Sequence, residues 1–276
     1  MKKTLLFVTT FVGLACYSAA KDTKEILVKK VNEKAVVADE EGFVPLFDGK
    51  SLKGWTAARS KGEGDWGAFS VNEEEKAIHV YAGRKAGSKQ KTDCLNTDTE
   101  YSHFILKVEY KWLESRFKPR EKHDRDAGLL FHVHGNLKKV WPSCVEMQIG
   151  ESPVTKSGRN RYHTGDLFIL GRHLQAKTAR TDGSYDKDGK LEPGNCPTQL
   201  GVEKPKGEWN EMEIRVEGGK KATFILNGEE VLVVNDMEQK GKDGKYTPLA
   251  KGRIGLQAEW AELMYRKIRI KELPAK

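Results

Sequence analysis

The sequence predicts an all-β fold, either two packed antiparallel sheets or a closed barrel, and three observations predict it. Apolar and polar residues alternate with period two along one short segment after another. Turn-forming pairs, Asn227-Gly228 and Gly218-Gly219, fall between such segments. No stretch carries a clear helical period; residues 26–38 are ambiguous and read as a flexible lead-in.

The clearest strand is 104–112. Phe104, Leu106, Val108, Tyr110 and Trp112 share one face there, while Lys107, Glu109 and Lys111 take the other. Similar runs follow at 127–134, 143–149, 166–170, 210–216, 222–226, 230–234, 254–258 and 263–271. Between the runs lie long polar segments at 60–65, 82–92, 115–126, 152–164 and 175–206. Loops that long in a compact domain are usually functional, so they are expected to wall in a binding face.

Composition narrows the class. Of 276 residues, 38% are hydrophobic and 9% aromatic, enough for a packed core and too much for a disordered chain. Lys2 and Lys3, the apolar run 5–15 and the small-residue ending Ser18-Ala19-Ala20 read as a secretory signal cut after Ala20, with lipidation of Cys16 as the alternative. The organisation expected is therefore a signal at 1–20, a lead-in at 21–42 and one domain at 43–273, acting in the periplasm or outside the cell. No later run is long and apolar enough to span a bilayer, so no transmembrane segment is expected in the mature chain. Losing Lys2 and Lys3 lowers the formal charge of +8 by two. The remaining excess is diluted by acids in the same loops, which argues against a nucleic-acid partner. Cys94, Cys144 and Cys196 allow at most one disulfide and have no zinc-site spacing.

Alternation also sorts the side chains that could do chemistry. Strict period two puts His132 and His134 on the face opposite Leu129, Phe131 and Val133. It puts Cys144, Glu146 and Gln148 opposite Val145, Met147 and Ile149. If the two strands are neighbours, one open face gathers two imidazoles, a carboxylate and an amide. His132-x-His134 with Glu146 could then hold a divalent metal. Glu146 with Glu151 would suit a retaining glycosidase, although Gln148 stands where an acid would tune that pair. Among the tryptophans, Trp141 and Trp260 adjoin polar segments and are the candidates for stacking on a sugar. No Gly-rich phosphate loop, Gly-x-Ser-x-Gly elbow or His-Glu-x-x-His helix is present.

A set of short motifs then resembles one family: Phe47-Asp48-Gly49-Lys50-Ser51-Leu52-Lys53-Gly54-Trp55, Ala127-Gly128-Leu129-Leu130-Phe131, Val145-Glu146-Met147-Gln148-Ile149, Thr164-Gly165-Asp166-Leu167-Phe168, Gly207-Glu208-Trp209-Asn210, Gly255-Leu256-Gln257 and the ending from Tyr265 to Leu273. In order and spacing these are similar to the 3-keto-disaccharide hydrolase domain. The resemblance implies a concanavalin A-like jelly roll, export, and action on glycosides already oxidised at C3. Two segments depart from the family's usual pattern, Asp126-Ala127 replacing its Asn-Ser and Glu259-Trp260 replacing its His-Gly, and both are expected to line the site.

The chemistry such a substrate needs follows from its ketone. The C3 carbonyl acidifies the C2 proton, a base forms the enediolate, the C1 aglycone leaves, and water adds back. That requires a base, a cation or donor at the C3 oxygen, and an acid for the leaving group. His132 or Glu146 is the expected base, and His134 or a metal ion the expected polariser. Gln148, Asp166 and Gln257 are expected to orient hydroxyls beside Trp141 and Trp260. The alternatives are a lectin-like module that binds sugar without cleaving it, and a conventional glycosidase.

Overall fold

The computed structural model describes residues 29–31, 34–36, 38–62, 64–151, 163–179 and 202–275. The signal expected at 1–20, most of the lead-in, Cys196 and the segments 152–162 and 180–201 lie outside them. The chain divides into a short unit ending at Val44 and a body from Pro45 onward. Within the first, β1 (Lys29–Val31) and β2 (Lys34–Val36) pair as an antiparallel hairpin. β3 (Val44–Pro45) falls at the boundary.

Two antiparallel sheets build the body, and no helix occurs among the described residues. The first contains β4 (Trp55–Ala57), β7 (Asp93–Thr97), β9 (Asp126–His134), β10 (Ser143–Gly150), β11 (Leu167–Leu170) and β17 (Arg253–Ala258), in the order β11-β10-β9-β17-β7-β4. The second contains β5 (Phe69–Asn72), β6 (Ala77–Val80), β8 (His103–Arg116), β12 (Leu174–Ala179), β13 (Asn210–Glu217), β14 (Lys221–Leu226), β15 (Glu229–Lys240) and β18 (Ala261–Glu272), in the order β12-β15-β14-β13-β8-β18-β6-β5. β16 (Tyr246–Pro248) adds to β15. This is the jelly-roll sandwich that the alternation and the resemblance anticipate. Asn227 and Gly228, both at positive φ, make the tight β14–β15 turn.

The core lies between the sheets. Phe104, Leu106, Val108, Tyr110 and Trp112 from β8 meet Leu129, Phe131, Val145, Met147 and Ile149 from the first sheet, all essentially excluded from solvent. The other face of the first sheet is buried too, and it carries a small second cluster of Cys94, Leu130, Val133, Val140 and Cys144 around its polar residues. Cys94 and Cys144 are free thiols. The chain expected to run as loop from 175 onward instead begins within β12, which pairs with β15.

One local feature overturns the expected grouping of the histidines. His132 has φ of 52°, in the left-handed region, and Cys144 faces the pair His132–Val133 because the register slips between Ser143 and Val145. This bulge consumes one residue of β9 and reverses the alternation beyond it. Val133 therefore joins the outer cluster, while His132 turns into the interior. The bulge fits against Gly252, where a Cβ would lie 2.4 Å from the His132 carbonyl carbon.

Candidate active site

Strand register places the polar residues of the first sheet's outer face in rows. Glu146 on β10 faces Leu130 on β9, which faces Gly255 on β17, which faces Asn96 on β7. One step along, Gln148 faces Gly128, and Gln257 faces Cys94. Asp166 closes this second row at its outer end, its carbonyl accepting the Gln148 backbone N–H at 2.9 Å. A further step on, Asp126 bridges to Glu259.

The centre of this array is a gap. Gly128 has no side chain, and a Cβ built there would lie 2.1 Å from Glu146 Oε1 and 2.5 Å from Gln257 Oε1. Glu146 and Gln257 lean into that space, while Gln148 turns to Asp126, which is bridged to Glu259.

Their electrostatics are set by burial. Glu146 is 4% exposed, and desolvation, followed by the nearby charges of Glu259 and Asp126, pushes its carboxyl well above the usual range. Glu259 is raised to about 7, chiefly by burial and then by Asp126, against the opposing pull of Trp141 and Arg120. Arg120 supplies the cation, its Nη1 2.6 Å from Asp126 Oδ2 and 3.7 Å from Glu259 Oε2. Gln148 Nε2 donates to Asp126 Oδ1 at 2.6 Å and to the Ala127 carbonyl at 2.7 Å, which fixes the Asp126 carboxylate beside Arg120. The Trp141 indole N–H donates to Glu259 Oε1. Trp141 and Trp260 lie 6.4 Å apart at 50°, and the Arg120 guanidinium is 5.9 Å from the Trp260 ring. Trp141 is 47% exposed, leaving an aromatic surface open beside the acids.

The structure thus brings together Glu146, Gln148, Gln257, Trp141 and Trp260, with Asp166 in the same row. The Asp166 carboxylate is turned back on its own turn, accepting the His163 backbone N–H at 2.9 Å. His132 and His134 are not part of the group. His132 Nε2–H donates to the Gly218 carbonyl at 3.0 Å, and its ring packs between Phe104 and Phe131. His134 donates from Nδ1 to the His132 carbonyl at 2.8 Å and pairs through Nε2 with His173 at 3.1 Å. The expectation that both imidazoles share a face with Glu146 is therefore corrected, and with it the donor set His132, His134 and Glu146 for a metal. Among the described residues no cluster of three His, Cys, Asp or Glu side chains is arranged to hold one. Glu151, the second acid of the expected retaining pair, is instead ion-paired with the buried Arg125.

Arg120 escaped the sequence reading, and Asp126 and Glu259 entered it only as departures from the family's pattern, with no role assigned. These two carried a signal, since Asp126 stands two residues before Gly128 and Glu259 two after Gln257, on the matching parity. Arg120 sits in the connection between β8 and β9, where no periodicity operates.

Residues 42–271 match the model of the 3-keto-alpha-glucoside-1,2-lyase-like domain. The chain belongs to that family. Among solved structures, a candidate glycosyl hydrolase from Parabacteroides distasonis is 20% identical, with a TM-score of 0.50 covering 87% of this chain and 99% of that one. A second from the same organism is 22% identical, with a TM-score of 0.44 over 79% and 99%. A carbohydrate-binding module from Bacillus subtilis is 11% identical, with a TM-score of 0.46 over 79% and 96%. The first of these likenesses supports the sandwich fold alone. No curated protein matches the sequence. The lyase-like family and the fold make this a carbohydrate-related, hydrolase-like domain.

Proposed function

We propose that this protein is an exported enzyme that cleaves 3-keto-glycosides by C2 deprotonation, elimination of the aglycone and hydration. The observation that carries the reading is a pair of buried carboxyls held above their usual range: Glu146, which leans into the gap over Gly128 and feels the charge of Glu259, and Glu259, whose Oε2 lies 3.7 Å from the Arg120 cation. Two acids whose environments separate their proton affinities divide into an acid and a base.

Glu259, raised to about 7, is substantially ionised at neutral pH and takes the C2 proton. Arg120 offsets the negative charge that develops on the C3 oxygen, as a cation already held in place by Asp126. The enediolate then collapses: its electron pair forms the C1–C2 double bond, the C3 ketone returns, and the C1–O bond breaks. Glu146, held protonated by burial, gives its proton to the departing oxygen. Water adds to the unsaturated ketone, its hydroxyl to C1, while Glu259 returns a proton to C2 and the remaining water proton restores Glu146. Trp141 and Trp260 provide the surface on which a ring of the substrate stacks.

The experiment is an incubation of the purified protein with one glucoside and with the same glucoside oxidised at C3, each with and without chelator. Aglycone released from the oxidised form alone supports the reading. Release from both makes the protein a conventional glycosidase, and retention of sugar with no release makes it a binding module. Loss of activity on chelation would add a metal to the mechanism.

A further inference from the structure

Gln257 is 1% exposed, and neither its Nε2 nor its Oε1 has a hydrogen-bond partner among the described residues. An amide with both ends unsatisfied inside a protein costs several kcal/mol unless some state of the molecule uses it, about 1–3 kcal/mol for each orphaned group. Its oxygen and Oε1 of Glu146 crowd the same point, the place a Gly128 Cβ would occupy. Both oxygens lie within 2.5 Å of that point, and two acceptor oxygens brought close together repel unless one of them carries a hydrogen.

We propose that Gln257 is a positioning residue for Glu146: its amide oxygen accepts the hydroxyl of the neutral Glu146 carboxyl, in a gap that only Gly128 leaves open. The inference rests on Glu146 being the acid of the site. An amide suits this task because it serves both forms of its partner. It accepts from the protonated carboxyl, and by turning over it donates Nε2–H to the carboxylate left after proton transfer. The acid is thereby kept in one rotamer, aimed outward from the sheet, through the whole cycle. The groups that face Glu146 from neighbouring elements are Asp126 on β9, Glu259 after β17, Cys94 on β7, Cys144 on its own strand and Tyr265 on β18, with Arg120 compensating the first two. None of them supplies an acceptor to the Glu146 proton, and burial favours that proton's retention.

The test is infrared difference spectroscopy at neutral pH, comparing wild type with E146Q, then Q257M with Q257M/E146Q. The wild-type difference is expected to contain the carbonyl stretch of a protonated, hydrogen-bonded carboxylic acid. In Q257M that band is expected to move to the position of a free acid, and kcat to fall roughly tenfold with KM little changed, as for an interaction made in the transition state. A wild-type protein with no protonated-acid band at Glu146, or a band that Q257M leaves in place, overturns the proposal. Since the wild-type spectrum needs no variant at Gln257 and no turnover, a Q257M chain that fails to fold does not shield the idea. A protein that has the band and its shift but does not cleave 3-keto-glycosides would sink the hydrolase reading alone.

Discussion

The Trp141 indole N–H donates to Oε1 of Glu259, which joins the most exposed large aromatic side chain of the described residues to the carboxyl raised to about 7. That hydrogen bond favours the ionised carboxylate, opposing burial and Asp126. W141F removes the donor and keeps a ring. The acid limb of kcat/KM is then expected to move to higher pH by up to about one unit, and KM to rise because the stacking surface shrinks. A pH–rate profile of W141F that overlays the wild type would separate Trp141 from the chemistry.

Glu259 should set that limb in the wild type. As the base it must be ionised, so kcat/KM is expected to climb with pH below about 7 and level off above it. The same shift acts on stability in the opposite sense. A carboxyl raised from 4.5 to about 7 in the folded state is protonated there while the unfolded chain has already ionised, so its contribution is complete below pH 4.5 and lost as pH rises through 7. E259Q should therefore abolish turnover and raise the unfolding free energy at pH 8 by about 1–3 kcal/mol. Denaturant melts of both proteins at pH 5 and pH 8 would check it, the gain appearing only at the higher pH.

His132 is expected to matter to folding and not to turnover. Burial lowers it to about 4 from 6.5, so it is neutral in the folded protein. Its contribution is present above pH 6.5 and disappears as pH falls toward 4, because protonation would place an uncompensated charge between Phe104 and Phe131. H132A should destabilise the protein by about 2–4 kcal/mol, through the cavity and the orphaned Gly218 carbonyl, and leave kcat within about twofold. A large loss of kcat in a folded H132A would return the imidazole to the active centre.

The different fates of Glu146 and His132 show how far alternation can be read. On β10 the period runs unbroken, so Val145, Met147 and Ile149 are buried in the core and Glu146 and Gln148 point away, as the pattern implies. On β9 it holds from Asp126 to Phe131 and fails at His132, since a bulge has no signature in a single sequence when the residue at positive φ is not glycine. The strands β4 to β6 have only three or four residues each, and β7 is buried on both faces and shows no alternation, which is why that part of the sandwich was not visible. Asp126 and Glu259, one from each of the two segments in which the sequence departs from the family's pattern, turn out to be bridged neighbours. Their parity was legible; their meeting across β9 and β17 needed the strand order, which is non-local.

Arg120 is the group for which the sequence offered least and the chemistry asks most. Its Nη1 stands between Asp126 and Glu259, so it neutralises one carboxylate and lowers the proton affinity of the other. R120M keeps much of the side chain's length and its packing beside Trp260 while removing the charge. Two effects should follow together. With no cation to offset the enediolate, kcat should fall by about 100- to 1000-fold, the cost of deleting one preorganised charge at a developing oxyanion. With no cation beside it, Glu259 should rise further, and the acid limb of kcat/KM should shift to higher pH. A merely structural arginine would produce neither the limb shift nor a kcat loss that persists at the pH optimum of the variant. Stopped assays across pH with a 3-keto-glucoside distinguish the two roles, and an R120M profile of unchanged shape and height would remove Arg120 from the mechanism.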